Sequence, residues 1–239
     1  MLKANKFIVF LALAVAGTVF CRAAESSMPT NDSKTVSKCD CSKKTWVELG
    51  FFSPIQFPCE ENVVNGFRFS AIYTYNKGVN GFDCGVICDS GTDGTNGFQL
   101  ALVNRTAGAA NGLTIGLINA AETEMNGVQI GGFYNQAGSD SLDHAGANFT
   151  NSAGFQCGFV NTVDAIFKGF QLGCINISNT LFSGLQLGVI NLSQPPSDVF
   201  DDFHSKEFNE QKKKRSCVQI GVLNFNPNGV FPITLLLNF

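Results

Sequence analysis

The sequence predicts an all-β fold: a parallel β-solenoid of about nine 15-residue coils with capping segments. Three observations predict it. From about residue 65 the chain repeats: the glycines of Asn65-Gly66-Phe67, Asn80-Gly81-Phe82, Asn96-Gly97-Phe98, Asn111-Gly112-Leu113 and Asn126-Gly127-Val128 are 15, 16, 15 and 15 residues apart. The 15-residue step returns at Gly154, Gly169 and Gly184, and a last unit runs from Cys217 to Asn224. Each unit follows one consensus: Gly, apolar, Gln, apolar, Gly, apolar, apolar, Asn, then about seven variable residues. Its opening alternates apolar and non-apolar residues, as a half-buried strand does. A unit this short must stack on copies of itself to bury a face.

The N-terminus reads as an export signal. Lys3 and Lys6 precede the apolar run Phe7–Val19, and Cys21-Arg22-Ala23-Ala24 supplies small residues for cleavage. Residues 1–24 are therefore read as a signal peptide. Lipidation at Cys21 is the alternative, although Thr18-Val19-Phe20 is a poor lipobox. Residues 25–45, rich in Ser, Thr and Lys, read as a flexible tether, leaving residues 46–239 as the β-repeat domain. Export makes the eight remaining cysteines (39, 41, 59, 84, 88, 157, 174 and 217) compatible with disulfides. Cys157 and Cys174 stand at apolar repeat positions and are expected as small buried hydrophobes.

In a solenoid, equivalent residues lie one above another. The glutamines at 99, 129, 156, 171, 186 and 219 are then expected to form one side-chain ladder. The asparagines at 104, 119, 161, 176, 191 and 224 form another. Two insertions, 135–153 and 192–216, interrupt the repeat at the same point and are expected on one face. Trp46–Phe57 and Asn226–Phe239 read as caps for the two exposed sheet edges, with Pro227 and Pro232 blocking further pairing at the second.

An up-and-down outer-membrane β-barrel is the alternative. Ile233, Leu235, Leu237 and the terminal Phe239 alternate to the chain end, like the last strand of bacterial barrels. A barrel, however, should show alternating short and long connections, and Trp and Tyr are scarce for interfacial girdles.

The tandem units Gly169-Phe-Gln-Leu-Gly-Cys-Ile-Asn176 and Gly184-Leu-Gln-Leu-Gly-Val-Ile-Asn191 resemble the bacterial surface-repeat proteins described in Leptospira. The likeness extends over residues 46–239, from Trp46-Val-Glu-Leu-Gly-Phe-Phe-Ser to the closing Asn238-Phe239. It implies an exported, envelope-associated protein and brings no established catalytic residues. The cysteines at 84, 88, 157, 174 and 217 depart from the usual apolar, Asn and Gly choices.

Chemistry is sparse. Charged residues make up 15% of the chain, against ~25% in an ordinary soluble domain, and the net charge is −3. Nothing favours nucleic acid or an anionic surface. The basic run Lys212–Arg215 follows Asp201, Asp202, Glu207 and Glu210, so it reads as a self-neutralising loop. His144 and His204, beside Asp143 and near Asp201, are the sole histidines and read as solvated loop residues rather than metal ligands. Glu60–Glu61 and Glu122/Glu124 likewise read as surface residues rather than paired catalytic carboxylates. The expectation is a non-enzymatic exported envelope protein, without cofactor or metal, acting as a structural or partner-binding scaffold. Its partner is an unidentified protein or envelope component, with outer-membrane association as the other option.

Overall fold

A computed structural model describes residues 44–53, 55–57, 60–138, 151–164, 166–178, 182–193, 217–226 and 232–238. All lie in the unit Asp40–Phe239. The expected signal peptide, Cys21, Cys39, Cys41, Cys59, His144, His204, the 212–215 basic run and Phe239 fall outside the described residues.

The described chain is all strand and turn. In order, β1 is Lys44–Phe52, β2 Ile55–Phe57, β3 Val63–Thr106, β4 Ala110–Ala121, β5 Met125–Ala137, β6 Asn151–Val163, β7 Ile166–Ser178, β8 Phe182–Leu187, β9 Ile190–Ser193, β10 Cys217–Phe225 and β11 Ile233–Asn238. The strand therefore begins two residues inside the expected 25–45 tether. It also extends into both expected insertions, as far as Ala137, from Asn151, and as far as Ser193. Among the described residues no helix is long and apolar enough to cross a membrane.

The repeat becomes a stack. β3 pairs parallel with β4 at an offset of one unit, Gly97 against Gly112 and Asn104 against Asn119. β4 pairs with β5 (Gly112 against Gly127), β5 with β6 (Gly127 against Gly154) and β6 with β7 (Gly154 against Gly169). β8 and β9 continue the stack from β7, and β10 lies against both. This parallel order is that of stacked coils. An up-and-down barrel requires antiparallel neighbours, and among the described residues antiparallel pairs occur only at the two ends. The long β3 is itself several coils, because its chain stays extended through the bends. Asn80 donates to Asn65 at 2.8 Å and Asn96 to Asn80 at 2.6 Å, one level to the next.

The ends are closed as the sequence suggests. β2 folds back antiparallel on β1, and β11 lies antiparallel on β10. Each hairpin occupies a strand edge that would otherwise present unpaired backbone groups to another chain.

The interior is polar. The Gln column is buried at Gln99, Gln129, Gln156, Gln171, Gln186 and Gln219, and the Asn column at Asn104, Asn119, Asn135, Asn161, Asn176, Asn191 and Asn224. Gln219 donates to Gln186 at 2.8 Å, Gln186 to Gln171 at 2.7 Å and Gln171 to Gln156 at 2.8 Å. The Asn ladder runs the other way: Asn135 donates to Asn161, Asn161 to Asn176 and Asn176 to Asn191, each at 2.8 Å. The same Nδ2 groups also donate to the next coil's backbone, as Asn161 does to the Leu172 carbonyl at 3.0 Å. A buried amide costs stability only when unpaired, and a stack spaced at ~4.8 Å pairs each one with its copy. Both ladders fray where they end. Gln219 Oε1 has no next level, and Asn104 Oδ1 faces the coil that carries Cys88 in place of Asn; neither has a hydrogen-bond partner. A small apolar cluster of Ala110, Ala121, Met125, Ala137, Val163, Phe167 and Cys217 fills the remaining interior.

Candidate interaction surface

With Gln and Asn inside, alternation sends the consensus apolar residues outward. The second, fourth and sixth positions of the units are Phe67, Phe69 and Ala71; Phe82, Cys84 and Val86; Phe98, Leu100 and Leu102; and so on to Val218, Ile220 and Val222. None is charged or amide-bearing in any level, and Phe133 takes the sixth place in the Gly127 unit because Gly132 is an extra residue. The sixth column stands farthest out: Leu117 is 52% exposed and Phe133 61%. Cys157 and Cys174 lie in these outer columns and are half-buried, which corrects their expected place in the core. With Cys84, Cys88 and Cys217 they are free thiols.

The columns are ordered. Phe67 stacks on Phe82 with centroids 5.5 Å apart, Phe82 on Phe98 at 5.1 Å, and Phe155 on Phe170 at 5.2 Å. Parallel rings one level apart meet near the favourable aromatic spacing, which holds them rigid without burying them. The fifth column is small (Ser70, Gly85, Ala101, Gly116), so a furrow of about 500 Å³ runs between the ridges made by Phe69, Leu100 and Ile115 and by Val86, Leu102 and Leu117. Ser70 does not make the furrow polar, because its hydroxyl donates to the Ile87 carbonyl at 2.9 Å. An exposed asparagine ladder borders the face: Asn65, Asn80, Asn96, Asn111 and Asn126, each linked to the next.

A second constellation lies inside the first coils. Register places Glu48 beside Arg68, and the Arg68 guanidinium grips Asp83 through Nε at 2.7 Å and Nη2 at 2.6 Å. All three side chains are fully buried and occupy the column that Gln fills higher in the stack. Arg68 Nη1 also donates to Asn76 Oδ1 at 3.1 Å and the Asp89 carbonyl at 2.8 Å, and Nη2 to Ser90 Oγ at 3.2 Å. Burial opposes the charge on Arg68, but the Asp83 carboxylate overrides it and drives the pKa up. All five guanidinium donors are thus engaged, and Glu48 receives none of them. Both its oxygens are buried without a hydrogen-bond partner, as are Thr74 Oγ1 and Asn76 Nδ2.

Burial therefore pushes the Glu48 pKa from 4.5 to about 7, against the pull of Arg68. The groups facing it are Arg68, the Asn76 amide and Asp83. A protonated Glu48 is close in shape and polarity to the Gln of the higher levels. Because the folded value lies above the unfolded one, the contribution is complete below pH ~4.5 and is lost as pH rises through ~7. The loss is on the order of 3 kcal/mol. Urea midpoints read by far-UV circular dichroism are expected to fall between pH 4.5 and 8, and Glu48→Gln is expected to flatten that dependence. A parallel pH profile in the two proteins would refute this assignment.

The other carboxylates singled out by sequence do not pair with one another. Glu122 accepts from Arg105 Nε at 2.9 Å, and Arg105 Nη1 reaches Asp89 at 3.0 Å; Glu60 accepts from Ser53. Among the described residues no group of three His, Cys, Asp or Glu side chains is placed to hold a metal ion. Comparison with family models, with curated proteins and with solved structures finds no match.

Proposed function

We propose that the protein is a non-enzymatic scaffold of the bacterial envelope, exported by its N-terminal signal and acting by contact along its apolar face. The observation that carries the proposal is the direction of the alternation. The chain spends its hydrogen-bonding side chains inside and presents unbroken apolar columns outside, and an apolar patch of that size marks an interaction site. The resemblance to bacterial surface-repeat proteins supports the address. The two insertions support a scaffold role, because β5 and β9 end at equivalent levels of the coil, at Ala137 and Ser193. Loops that interrupt a rigid stack are where partner-specific contacts are carried.

Fractionation of a Gram-negative host expressing the full chain tests this reading. The expected product is processed near residue 24 and recovered with the envelope or periplasm. It should lose envelope association when Leu117 and Phe159, both outer-column residues, are replaced by Lys. Retention in the cytoplasm with the N-terminus intact would overturn the proposal. So would unchanged association of the double variant.

A further inference from the structure

We infer that the apolar face is a homodimer interface, on which a second copy of this chain packs face to face. The inference rests on the reading of this face as a contact surface and names its partner. The first argument is area. The second and fourth positions lie on one strand and the sixth at the bend that follows it, where β8 ends at Leu187 and β9 begins at Ile190. Followed around that bend, the three columns clothe roughly 17 Å of the coil, and nine levels at ~4.8 Å rise about 43 Å. The face is thus on the order of 700 Å², close to the ~800 Å² that each partner contributes to a standard stable interface.

The second argument is shape. Across the levels of Gly66 to Gly112 the face carries a ridge of fourth-position residues, a furrow floored by small fifth-position residues and a ridge of sixth-position residues, and the same residue sizes recur in the levels above. Around a two-fold axis the sixth-position ridge of each copy (Leu102, Leu117, Phe133, Phe159) enters the furrow of the other. This is isologous pairing, in which one patch serves both sides. The third argument is composition. An apolar centre with the exposed Asn65–Asn126 ladder along one margin is the arrangement of a protein interface, apolar at the core and polar at the rim.

A bilayer fits the same face less well. Lipid-facing surfaces anchor with Trp and Tyr at their margins and with basic residues toward anionic headgroups. Here Trp46, Tyr73, Tyr75 and Tyr134 all lie outside the three columns, and the chain is net acidic. An added peptide strand fits less well too. The backbone of the furrow is committed to the coil-to-coil ladder, so a guest strand would bury unpaired amides.

The test uses the purified processed chain, freed of residues 1–24, with sedimentation equilibrium from 1 to 100 μM (order-of-magnitude limits that bracket a micromolar Kd) and flotation with phosphatidylethanolamine–phosphatidylglycerol vesicles. The wild type is expected to be dimeric and to remain unbound to vesicles. Leu117→Lys with Phe159→Lys places charges on the ridge and is expected to weaken the dimer at least about a hundredfold. Glu61→Lys, exposed near the N-terminal turn, is expected to leave it unchanged. Circular dichroism and urea unfolding check that each variant is folded, and the milder Leu117→Gln, expected to weaken association by about tenfold, serves if the double variant is not. A monomeric wild type, a dimer indifferent to both face variants, or vesicle binding by a monomer would each overturn the inference. Should a monomeric wild type still fractionate with the envelope through Leu117 and Phe159, the second copy fails while the scaffold reading stands.

Discussion

Replacing Arg68 by Met is expected to cost the protein about 3–5 kcal/mol, and replacing Glu48, Arg68 and Asp83 together by Gln is expected to cost little or to stabilise it. The single substitution keeps the volume but leaves Asp83 fully buried with its main cation gone, and Glu48 without the only positive charge beside it. Asn76, Ser90 and the Asp89 carbonyl lose their donor as well. The triple substitution removes every charge at once and continues the amide column downward from Gln99, which in the native chain donates to Asp83 Oδ2 at 3.2 Å. Each new Gln would meet another Gln one level away, as Gln171 meets Gln156. Urea unfolding at pH 6 compares the three proteins. A single variant as stable as the wild type would mean that Arg68 is not holding a buried anion. A triple variant as damaged as the single one would mean that the charges are needed for the packing of these coils.

This cluster also shows where sequence reading stops. The step of 15 residues, the level-to-level register and both amide ladders follow from the spacing of Gly, Gln and Asn, and the open edges of the stack mark Trp46–Phe57 and Asn226–Phe239 as caps, though not their antiparallel pairing. A fixed period forces equivalent residues onto one another, and caps answer a known liability of open edges. The side on which each face lies does not follow. Alternation says that Phe170 and Leu172 share a side and Gln171 takes the other; it does not say which side is inside. Ordinary hydropathy puts Phe170 in the core. The stack reverses this, because amides repeated at the strand spacing pair with their own copies and so lose the usual cost of burial. The same hydropathy argument puts Cys157 and Cys174 in the core, whereas both are half-buried in the outer columns. Arg68 and Asp83 were within reach: aligning the units on Gly66 and Gly81 drops both into the Gln column. Glu48 was harder, because β1 lacks the opening glycine that marks a unit.

Gly112→Ala is expected to be more damaging than the loss of a buried methyl-sized group anywhere in this fold, at least about 3 kcal/mol. Gly112 has φ +119°, a region that side-chain-bearing residues avoid. A Cβ there would also fall on the carbonyl oxygen of Gly97, well inside van der Waals contact. The clash is with backbone fixed by the inter-coil ladder, so no rotamer change relieves it. The same relation recurs up the column: a Cβ on Gly127 meets Gly112, and one on Gly154 meets Gly127. Only Cys217 departs from glycine in these levels, and it stands at the first residue of β10, where the chain arrives from the 194–216 insertion. Gly132 gives the control. Its φ is not positive, and a Cβ there meets only the flexible end of Leu117 closely, so Gly132→Ala is expected to cost clearly less than Gly112→Ala. Stability in a stack is close to a sum of coil and neighbour terms. A break at Gly112 should therefore uncouple the coils below it from those above. Far-UV circular dichroism follows the whole stack, and protection of the β3 backbone amides against hydrogen exchange follows the N-terminal coils. The two urea transitions are expected to coincide in the wild type and to separate in Gly112→Ala. Coincident transitions with an unchanged midpoint would show that the column tolerates a side chain and that close backbone approach does not select its glycines.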